Sequence, residues 1–250
     1  MPIVLVNGIP ESAAVWGPLL AELNRTDVVT LSPPGFGSPV PDDFDFTLQS
    51  YTQWLAGALE PLGAPADLVG HDLGGAAVLG VAMTRPNLVR TWVCDALGAF
   101  DPDYAWHGVA QIWQMPALGE QDVAARTAAT PDERTEGIAA LGISRPVAAE
   151  LAAAWDPEMG RAILRFYRSA VQPAMANFGK DLHRAAARPG LALIPTEDHF
   201  VGSVGLRQRS AARAGARTVI LDGIGHWWMD QEPALSAKTL DGFWAETRDR

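Results

Sequence analysis

The sequence predicts an α/β protein with a doubly wound, mostly parallel sheet and an inserted helical cap. Short β-rich runs alternate along the chain with stretches of helical length, which is the pattern of βαβ units. The alternation is interrupted once, because residues 99–178 contain an Ala-rich helical pattern and no convincing strand. A helical insertion there would lie over the carboxyl ends of the strands, where open α/β sheets bind ligands. We therefore expect a core of residues 1–98 and 179–250 and a cap of residues 99–178.

Six runs rich in apolar and β-branched residues are the predicted strands. In chain order they are Ile3–Val6, Val28–Leu31, Asp67–Val69, Thr91–Cys94, Leu191–Ile194 and Arg217–Leu221. The predicted helices of the core are Trp16–Asn24, Leu48–Leu62, Ala76–Thr84, Gly205–Ala214 and Pro233–Arg248. Strands separated by helices in this way form a parallel sheet that is covered on both faces.

The composition indicates a globular protein and argues against several classes of partner. Of the 250 residues, 48% are hydrophobic and 19% are charged, which is typical of a chain with one large core. A formal net charge of −10 argues against nucleic acid as a partner, because nucleic acid attracts basic surfaces. No apolar run approaches the roughly 20 residues that span a bilayer, and residues 1–6 lack the basic region of a signal peptide. Cys94 alone cannot form an internal disulfide, so we expect a cytoplasmic protein with no membrane partner.

The segment GHDLGG at residues 70–75 has the spacing of a nucleophile elbow, with Asp72 where hydrolases usually carry serine. The elbow is a strained turn from a strand into a helix, and glycines on both sides relieve the crowding of its backbone. An ordinary glycine-rich turn capped by an aspartate has a similar sequence, so the motif needs support from elsewhere in the chain. A carboxylate that attacks carbon forms an alkyl-enzyme ester, which suits epoxide opening or halide displacement better than acyl transfer.

Three other predicted strand ends carry groups that complement Asp72. The backbone N–H of Ile9 follows the first strand, and with the N–H of Leu73 it would form a two-donor oxyanion hole. Asp198 follows the fifth strand and His226 the sixth, which is the chain order of a nucleophile–acid–histidine triad. In this arrangement His226 removes a proton from water, and Asp198 orients the imidazole. No His/Cys cluster has metal-ligand spacing and no glycine-rich phosphate loop is present, so we expect no metal and no cofactor.

Together these motifs resemble the α/β-hydrolase superfamily, and within it the epoxide hydrolases and dehalogenases that use an aspartate nucleophile. The resemblance extends over nearly the whole chain and includes GHWWMD at residues 225–230. Two cap segments resemble those of epoxide hydrolases, FYR at residues 166–168 and WQMPALGE at residues 113–120. The resemblance implies that Tyr167 donates a hydrogen bond to the epoxide oxygen. Ring opening creates an alkoxide, and an O–H within reach lowers its energy.

Two departures from the epoxide hydrolases concern the oxyanion hole and the cap. Asn7 stands where the family usually has histidine, and we expect this change to be tolerated because the hole uses backbone donors. Val109 stands where the family commonly has a second cap tyrosine. Tyr104 and His107 are the neighbouring candidates for that role, although neither is in register.

The resemblance to dehalogenases is weaker at the expected halide site. Haloalkane dehalogenases often have Trp after the nucleophile and Asn after the His-Gly pair, but Leu73 and Ile9 occupy these positions. Fluoroacetate dehalogenases usually have Arg where Leu73 stands. Their cap histidine and tryptophan have loose counterparts in His107 and in Trp106 or Trp113.

The identity of the triad acid is open between Asp198 and two other carboxylates. Glu197 is adjacent, and Asp95 ends the fourth strand, where some dehalogenases carry the acid. We prefer Asp198, because its position three residues beyond Pro195 matches the spacing of the family. His71 is expected to pack behind the elbow without a direct catalytic role.

The first hypothesis is therefore a cofactor-independent hydrolase that opens a small, mostly apolar epoxide to a diol. The second is a haloalkane or haloacid dehalogenase with the same triad, and the groups available to hold its halide are Trp106, Trp113, His107 and Tyr167. The third is a non-catalytic α/β-hydrolase that binds a small molecule, which the changes at Asn7 and Val109 keep open. The predicted substrate-binding residues are Phe36, Leu73, Trp106, His107, Trp113, Tyr167, Val201 and Trp227. A homodimer is the one macromolecular assembly that the sequence leaves open.

Overall fold

A single sheet of six strands organises the protein, and every strand pairing in it is parallel. The computed structural model describes residues 2–247. The strands are β1 (Ile3–Val6), β2 (Val28–Leu31), β3 (Ala66–Gly70), β4 (Val89–Cys94), β5 (Gly190–Pro195) and β6 (Arg217–Leu221). Their order across the sheet is β2-β1-β3-β4-β5-β6. The order reverses at β1, and the crevice outside the carboxyl ends at such a reversal is where doubly wound sheets bind ligands.

Helices cover both faces of the sheet and fill the insertion between β4 and β5. They are α1 (Gly17–Glu22), α2 (Leu48–Leu59), α3 (Leu73–Thr84), α4 (Gly108–Gln114), α5 (Leu118–Ala128), α6 (Pro131–Ala139), α7 (Arg145–Ala154), α8 (Pro157–Ser169), α9 (Ala174–Phe178), α10 (Val204–Arg213), α11 (Trp228–Gln231) and α12 (Pro233–Glu246). No helix in residues 2–247 is long and apolar enough to cross a membrane.

Burial of the strands follows their place in the sheet. All residues of the two central strands β1 and β3 are buried, because each has neighbours on both sides and helices on both faces. The edge strands β2 and β6 are partly exposed. The polar groups at the carboxyl ends of the central strands are therefore held in a water-poor environment.

The insertion between β4 and β5 contains helices and no strand among its described residues, and it packs on the core at two places. Phe166 and Tyr167 of α8 join the larger hydrophobic cluster, which also contains α3. Leu151 of α7 joins a second cluster, which includes Trp16. The loop before α7 is also tied to the core, because the backbone N–H and the hydroxyl of Ser144 each donate to Asp230 at 2.6 Å.

The predicted α/β fold is confirmed, and most predicted bounds agree with the structure. Three of the predicted strands have the observed bounds; β3 and β5 are longer by one residue at each end, and β4 is longer by two residues at its amino end. The predicted helix Leu48–Leu62 is α-helical to Leu59 and continues as a 3₁₀ turn. The third predicted helix starts earlier, at Leu73, because the helix begins directly at the elbow. The predicted end of the last helix at Arg248 lies outside the described residues.

Candidate active site

Asp72 occupies a strained turn between β3 and α3. Its φ of 51° and ψ of −118° lie in a region that residues with a side chain rarely adopt. A Cβ on Gly74 would lie 2.1 Å from the carbonyl oxygen of Val6, and a Cβ on Gly70 would lie 2.4 Å from the carbonyl oxygen of Gly74. Glycine is therefore required at both positions, and the turn has the geometry that the sequence spacing predicts for a nucleophile elbow.

The carboxylate of Asp72 lies at the predicted oxyanion hole. The backbone N–H of Ile9 donates to Oδ1 of Asp72 at 3.1 Å. Burial raises the pKa of Asp72 above its ordinary value, and a hydrogen bond from the N–H of Leu73 acts in the opposite direction. A Cβ on Gly8 would lie 2.5 Å from Cβ of Asp72, so the loop after β1 can approach the elbow only with glycine there. The structure thus brings both predicted backbone donors to the carboxylate.

His226 lies between Asp72 and Asp198. Its Nδ1 is 2.9 Å from Oδ2 of Asp198, and its Nε2 is 4.0 Å from Oδ2 of Asp72. Because an ionised carboxylate only accepts, Nδ1 carries the proton and Nε2 presents a lone pair towards Asp72. Burial disfavours the imidazolium, but the charge and the hydrogen bond of Asp198, together with the charge of Asp72, outweigh it, so the pKa of His226 is raised. Such an imidazole can take a proton from water that enters between Nε2 and Asp72.

Asp198 is fully surrounded by groups that favour its charged form. Burial opposes ionisation, but His226 and the backbone N–H of Phe200, which donates at 2.8 Å, hold the pKa of Asp198 well below its usual range. Neither competing acid contacts His226 through a hydrogen bond within the described residues. The side chain of Glu197 is 61% exposed, and Asp95 binds the other histidine of the site, His71.

A buried ion cluster, made of Glu11, His71 and Asp95, lies directly behind the elbow. Nδ1 of His71 is 2.5 Å from Oδ2 of Asp95, and its Nε2 is 3.1 Å from Oε1 of Glu11. Burial disfavours the imidazolium, but the two carboxylates more than offset it and hold the pKa of His71 well above its usual value. From the sequence, His71 was expected only to pack behind the elbow, and Glu11 was not among the candidate residues. The available signal was that all three residues follow central strands.

This cluster also bears on metal binding. One atom each of Glu11, His71 and His226 lie within 4.8 Å of one another. Both ring nitrogens of His71 already face carboxylate oxygens, so the charged imidazole has no lone pair for a metal. We therefore assign the three residues to hydrogen bonding and ion pairing.

A cavity of about 510 Å³ lies between the cap and the carboxyl ends of the strands. It is lined by Asp72 and His226 and by four of the predicted substrate-binding residues, His107, Trp113, Tyr167 and Trp227. A smaller cavity of about 20 Å³ lies on the other side of Asp72. Its lining includes His107 and Tyr167 again, together with three further predicted residues, Leu73, Trp106 and Val201.

Phe36 is the predicted substrate-binding residue that the structure does not place at the site. It lines neither cavity, and its side chain is fully buried in the core. Its ring packs on Tyr51 with centroids 6.4 Å apart. Its backbone carbonyl accepts from Nδ2 of Asn7 at 3.3 Å. The glycine-rich loop that carries Phe36 turns its ring towards α2, so the structure does not bring this residue to the two cavities beside Asp72.

The tryptophan N–H groups near the site already have acceptors. Nε1 of Trp106 donates to the carbonyl of Ala170 at 3.0 Å. Nε1 of Trp113 donates to Asp122 at 2.7 Å. Nε1 of Trp227 donates to Glu11 at 2.6 Å. The three indole rings therefore form apolar surface near the site, and their N–H groups are not free to bind a substrate.

Two cap residues offer donors that remain free within residues 2–247. The hydroxyl of Tyr104 donates to the carbonyl of Phe200 at 2.7 Å, but the hydroxyl of Tyr167 has no such partner. Burial and the charge of Asp72 raise the pKa of Tyr167 well above its usual value, so it remains a neutral O–H. Nδ1 of His107 accepts the N–H of Ala110 at 3.3 Å, which places the proton of the neutral ring on Nε2.

Two arginines that also line the larger cavity have hydrogen-bond acceptors within the cap. Arg126 pairs with Asp122 at 2.7 Å. Arg134 donates to the backbone carbonyls of Thr127, Ala129 and Ala152. These arginines stabilise the ends of cap helices, and the inner part of the cavity remains mostly apolar.

A parallel sheet with a strained nucleophile elbow and a histidine–aspartate pair at its carboxyl edge defines an α/β-hydrolase. The chain belongs to the Alpha/beta hydrolase family, whose model matches residues 3–239, and it is a hydrolase of that family.

Two relatives hydrolyse succinate derivatives according to their names. The 2-(acetamidomethylene)succinate hydrolase of Mesorhizobium japonicum is 24% identical over 97% of this chain and 87% of its own length. The (E)-2-((N-methylformamido)methylene)succinate hydrolase of Acinetobacter baylyi is 32% identical, but the match covers only 36% of this chain and 35% of that protein.

Solved structures share the fold at low sequence identity. The crystal structure of E-2-(acetamidomethylene)succinate hydrolase has a TM-score of 0.76 at 18% identity, covering 98% of this chain and 91% of that one. A haloalkane dehalogenase from Bradyrhizobium elkani has a TM-score of 0.73 at 18% identity, covering 99% of this chain and 91% of that one.

Proposed function

We propose that this hydrolase uses Asp72 as a nucleophile and opens a small, mostly apolar epoxide to a diol through an alkyl-enzyme ester. The observation that carries the proposal is the placement of the two carboxylate oxygens. Oδ1 accepts the N–H of Ile9, whereas Oδ2 faces His226 at the floor of the apolar cavity. A carboxylate held in this way attacks an sp³ carbon from Oδ2 while Oδ1 stays in the oxyanion hole.

In the first half-reaction, Oδ2 of Asp72 forms a bond to an epoxide carbon as the ring C–O bond breaks. The electron pair of that bond stays on the epoxide oxygen, which takes the proton of Tyr167. This role is supported because Tyr167 lines the same cavity as Asp72 and its hydroxyl has no hydrogen-bond partner in residues 2–247. The result is a hydroxyalkyl ester of Asp72 and a tyrosinate.

In the second half-reaction, water attacks the carbonyl carbon of the ester. Nε2 of His226 takes a proton from this water, and Asp198 stabilises the imidazolium through Nδ1. The tetrahedral oxyanion lies on Oδ1, to which Ile9 donates, and the N–H of Leu73 also donates to the carboxyl group of Asp72. Collapse releases the second hydroxyl of the diol, which takes its proton from His226, and the acid proton of Asp72 returns to the tyrosinate.

The hydrogen-bond donors that remain free in the cavity favour an epoxide over a halide as the substrate group. A halide needs donors arranged around the displaced ion, but the indole N–H groups of Trp106 and Trp113 are committed to Ala170 and Asp122. An alkoxide is strongly basic and needs one or two strong hydrogen bonds as it forms. Tyr167 offers such a bond, and the dehalogenase therefore ranks second.

His107 supplies a second donor in place of the tyrosine that the sequence lacks at Val109. Its Nε2–H has no partner within the described residues, and the ring lines both cavities beside Tyr167. The two rings meet edge to face with centroids 6.2 Å apart. Burial and repulsion from His226 lower the pKa of His107 to about 4, so it is a neutral donor at pH 7.

The names of the relatives suggest another candidate, hydrolysis of an amide-bearing succinate derivative. Two features of this chain speak against it. Attack by the carboxylate of Asp72 on an amide must form an anhydride and expel an amine, which is a poor use of this nucleophile. A dicarboxylate also needs cationic donors, and the two arginines that line the cavity already direct N–H groups elsewhere, Arg126 to Asp122 and Arg134 to backbone carbonyls.

Trapping of the ester tests the proposal. Because His226 acts only in the second half-reaction, His226→Gln should stop turnover after alkylation, and intact mass spectrometry should show the mass of one epoxide added to the chain. Asp72→Ala should give neither adduct nor diol. Halide release without epoxide opening by the parent would select the dehalogenase. Binding of small molecules with no turnover by the parent would select the non-catalytic binder.

A further inference from the structure

We propose that the Glu11–His71–Asp95 ion cluster sets the geometry of both arms of the oxyanion hole, and that the fixed positive charge of His71 opposes protonation of Asp72 and His226. The inference rests on the proposed function of Asp72 and His226. It assigns positioning and electrostatic roles to three residues that touch no reacting atom in the mechanism above.

The hydrogen bonds of the cluster define its charges. Asp95 accepts from the N–H of Asp72 at 2.9 Å, from Nε1 of Trp228 at 2.7 Å and from His71. Glu11 accepts from the N–H of Gly8 at 3.1 Å, from Nε1 of Trp227 at 2.6 Å and from His71. A carboxyl group surrounded by three donors is ionised. His71 meets both carboxylates through its two ring nitrogens, so it must be doubly protonated, and the cluster has a net charge of minus one.

The same bonds connect the cluster to the oxyanion hole. Glu11 holds the N–H of Gly8, the residue before the donor Ile9. Asp95 holds the N–H of Asp72, the residue before the donor Leu73. His71 joins the two carboxylates, so it fixes the distance between the loop after β1 and the elbow after β3. Displacement of either loop would move one donor away from the oxygen that it stabilises.

The cation also lies against the reacting groups. The rings of His71 and His226 have centroids 4.4 Å apart. The positive charge of His71 lowers the pKa of His226 and of Asp72, in opposition to larger effects that raise both. The titratable and charged groups around His226 from all neighbouring elements are Glu11, His71, Asp72, Asp95, His107, Asp198 and Arg207. Among them His71 is the cation that faces both nucleophile and base.

Two charge-changing variants give opposite shifts. His71→Gln makes the cluster more negative, so the acid limb of the pH profile of kcat/KM should move up by about one pH unit or more. Glu11→Gln makes the cluster neutral, so the same limb should move down. Both variants should lose about tenfold or more in kcat, because each releases one arm of the oxyanion hole. A packing role alone would lower activity without shifts of opposite sign.

Thr91→Val is the matched control for loss of a buried polar contact. The hydroxyl of Thr91 donates to Oδ1 of the buried Asp67 at 2.6 Å, at the amino end of the same strand that carries Asp95 at its carboxyl end. This variant should lower the melting temperature and leave the pH profile unchanged. Equal profile shifts in Thr91→Val and Glu11→Gln would overturn the proposal.

Imidazole NMR of the substrate-free protein tests the inference even if no epoxide is turned over. His71 should still give the spectrum of an imidazolium at pH values where a free imidazole has lost its proton, and the pKa of His226 should fall in Glu11→Gln. A neutral His71 at pH 7, or an unchanged His226 titration in Glu11→Gln, would overturn it. Absence of epoxide turnover with the expected titrations would instead contradict the proposed function alone. If His71→Gln does not fold, Glu11→Gln carries the test.

Discussion

Nδ1 of His226 lies 2.9 Å from Oδ2 of Asp198, whereas the acid at the end of β4, Asp95, lies 2.5 Å from Nδ1 of His71. The two histidines of the site therefore have separate acids. One pair faces the cavity and can exchange a proton with water. The other lies behind the elbow and is saturated with hydrogen bonds, so the two carboxylates are expected to respond differently to substitution.

Asp198→Asn should block the second half-reaction. An amide at this position cannot stabilise the imidazolium and favours the wrong tautomer of His226, which costs about 10⁴ in rate in a comparable triad. Alkylation of Asp72 does not need the imidazolium, so mass spectrometry should show accumulated ester. Glu197→Gln, in the exposed neighbour, is the control and should retain parent turnover. Full activity of Asp198→Asn would remove this residue from the triad.

Tyr167→Phe should cut epoxide turnover by about 10²–10³, which is the typical cost of losing one donor to a developing oxyanion. Any release of halide should change much less, because a halide is a far weaker base than an alkoxide. Single-turnover kinetics would show whether the loss lies in alkylation. Tyr104→Phe is the matched control, since the Tyr104 hydroxyl is bound to the carbonyl of Phe200. Parent-like epoxide opening by Tyr167→Phe would exclude its hydroxyl from the mechanism.

The variant His107→Ser separates the two roles of this side chain, which caps the amino end of α4 and offers a donor to the cavity. Serine caps α4 as well as the imidazole does, but its short hydroxyl cannot replace Nε2–H in the cavity. We expect little change in melting temperature and a loss of about tenfold or more in the alkylation rate. Combined with Tyr167→Phe, the effect should be non-additive if both side chains bind the same oxygen. An unchanged alkylation rate would leave Tyr167 as the only cap donor.

Gly74→Ala should destabilise the protein by about 3 kcal/mol, because the new methyl group would overlap the carbonyl oxygen of Val6 in the neighbouring strand. Gly57→Ala is the opposite case. No atom lies within 4 Å of a Cβ at Gly57, which is on the exposed side of α2, so alanine should stabilise by about 0.5–1 kcal/mol. Denaturant titration measures both changes, and a stable Gly74→Ala variant would contradict the close approach at the elbow.

The sequence was sufficient for the sheet and for the position of the elbow, because both follow local rules. Continuous apolar runs mark buried parallel strands, and the glycines around Asp72 mark a turn that admits no other residue. The pairing of acids with histidines was not determined locally. The sequence offers His71 and His226 together with Asp95 and Asp198, and only the order of strands in the sheet decides which pair meets.

Cap residues were predicted less well for a related reason. Residue type indicated that Trp113 and Tyr167 belong to the cavity wall, but not which polar atoms remain free. That depends on distant partners such as Asp122 and Ala170, which occupy indole N–H groups. The side chain of Phe36 could not be oriented from the sequence, because a loop rich in glycine and proline gives no periodicity from which its direction can be predicted.

The two hydrogen bonds from Ser144 to Asp230 have a consequence for how new substrates can be acquired. They tie the residue before α7 to Asp230, which lies four residues after His226 in the chain. A displacement of the start of α7 would therefore also move His226, the proposed base. α4 and α5 pack instead on α8 and are free of that tie. Substitutions in α4 and α5 can therefore change the substrate preference with little effect on His226. Substitutions near Ser144 are expected to disturb the catalytic geometry as well.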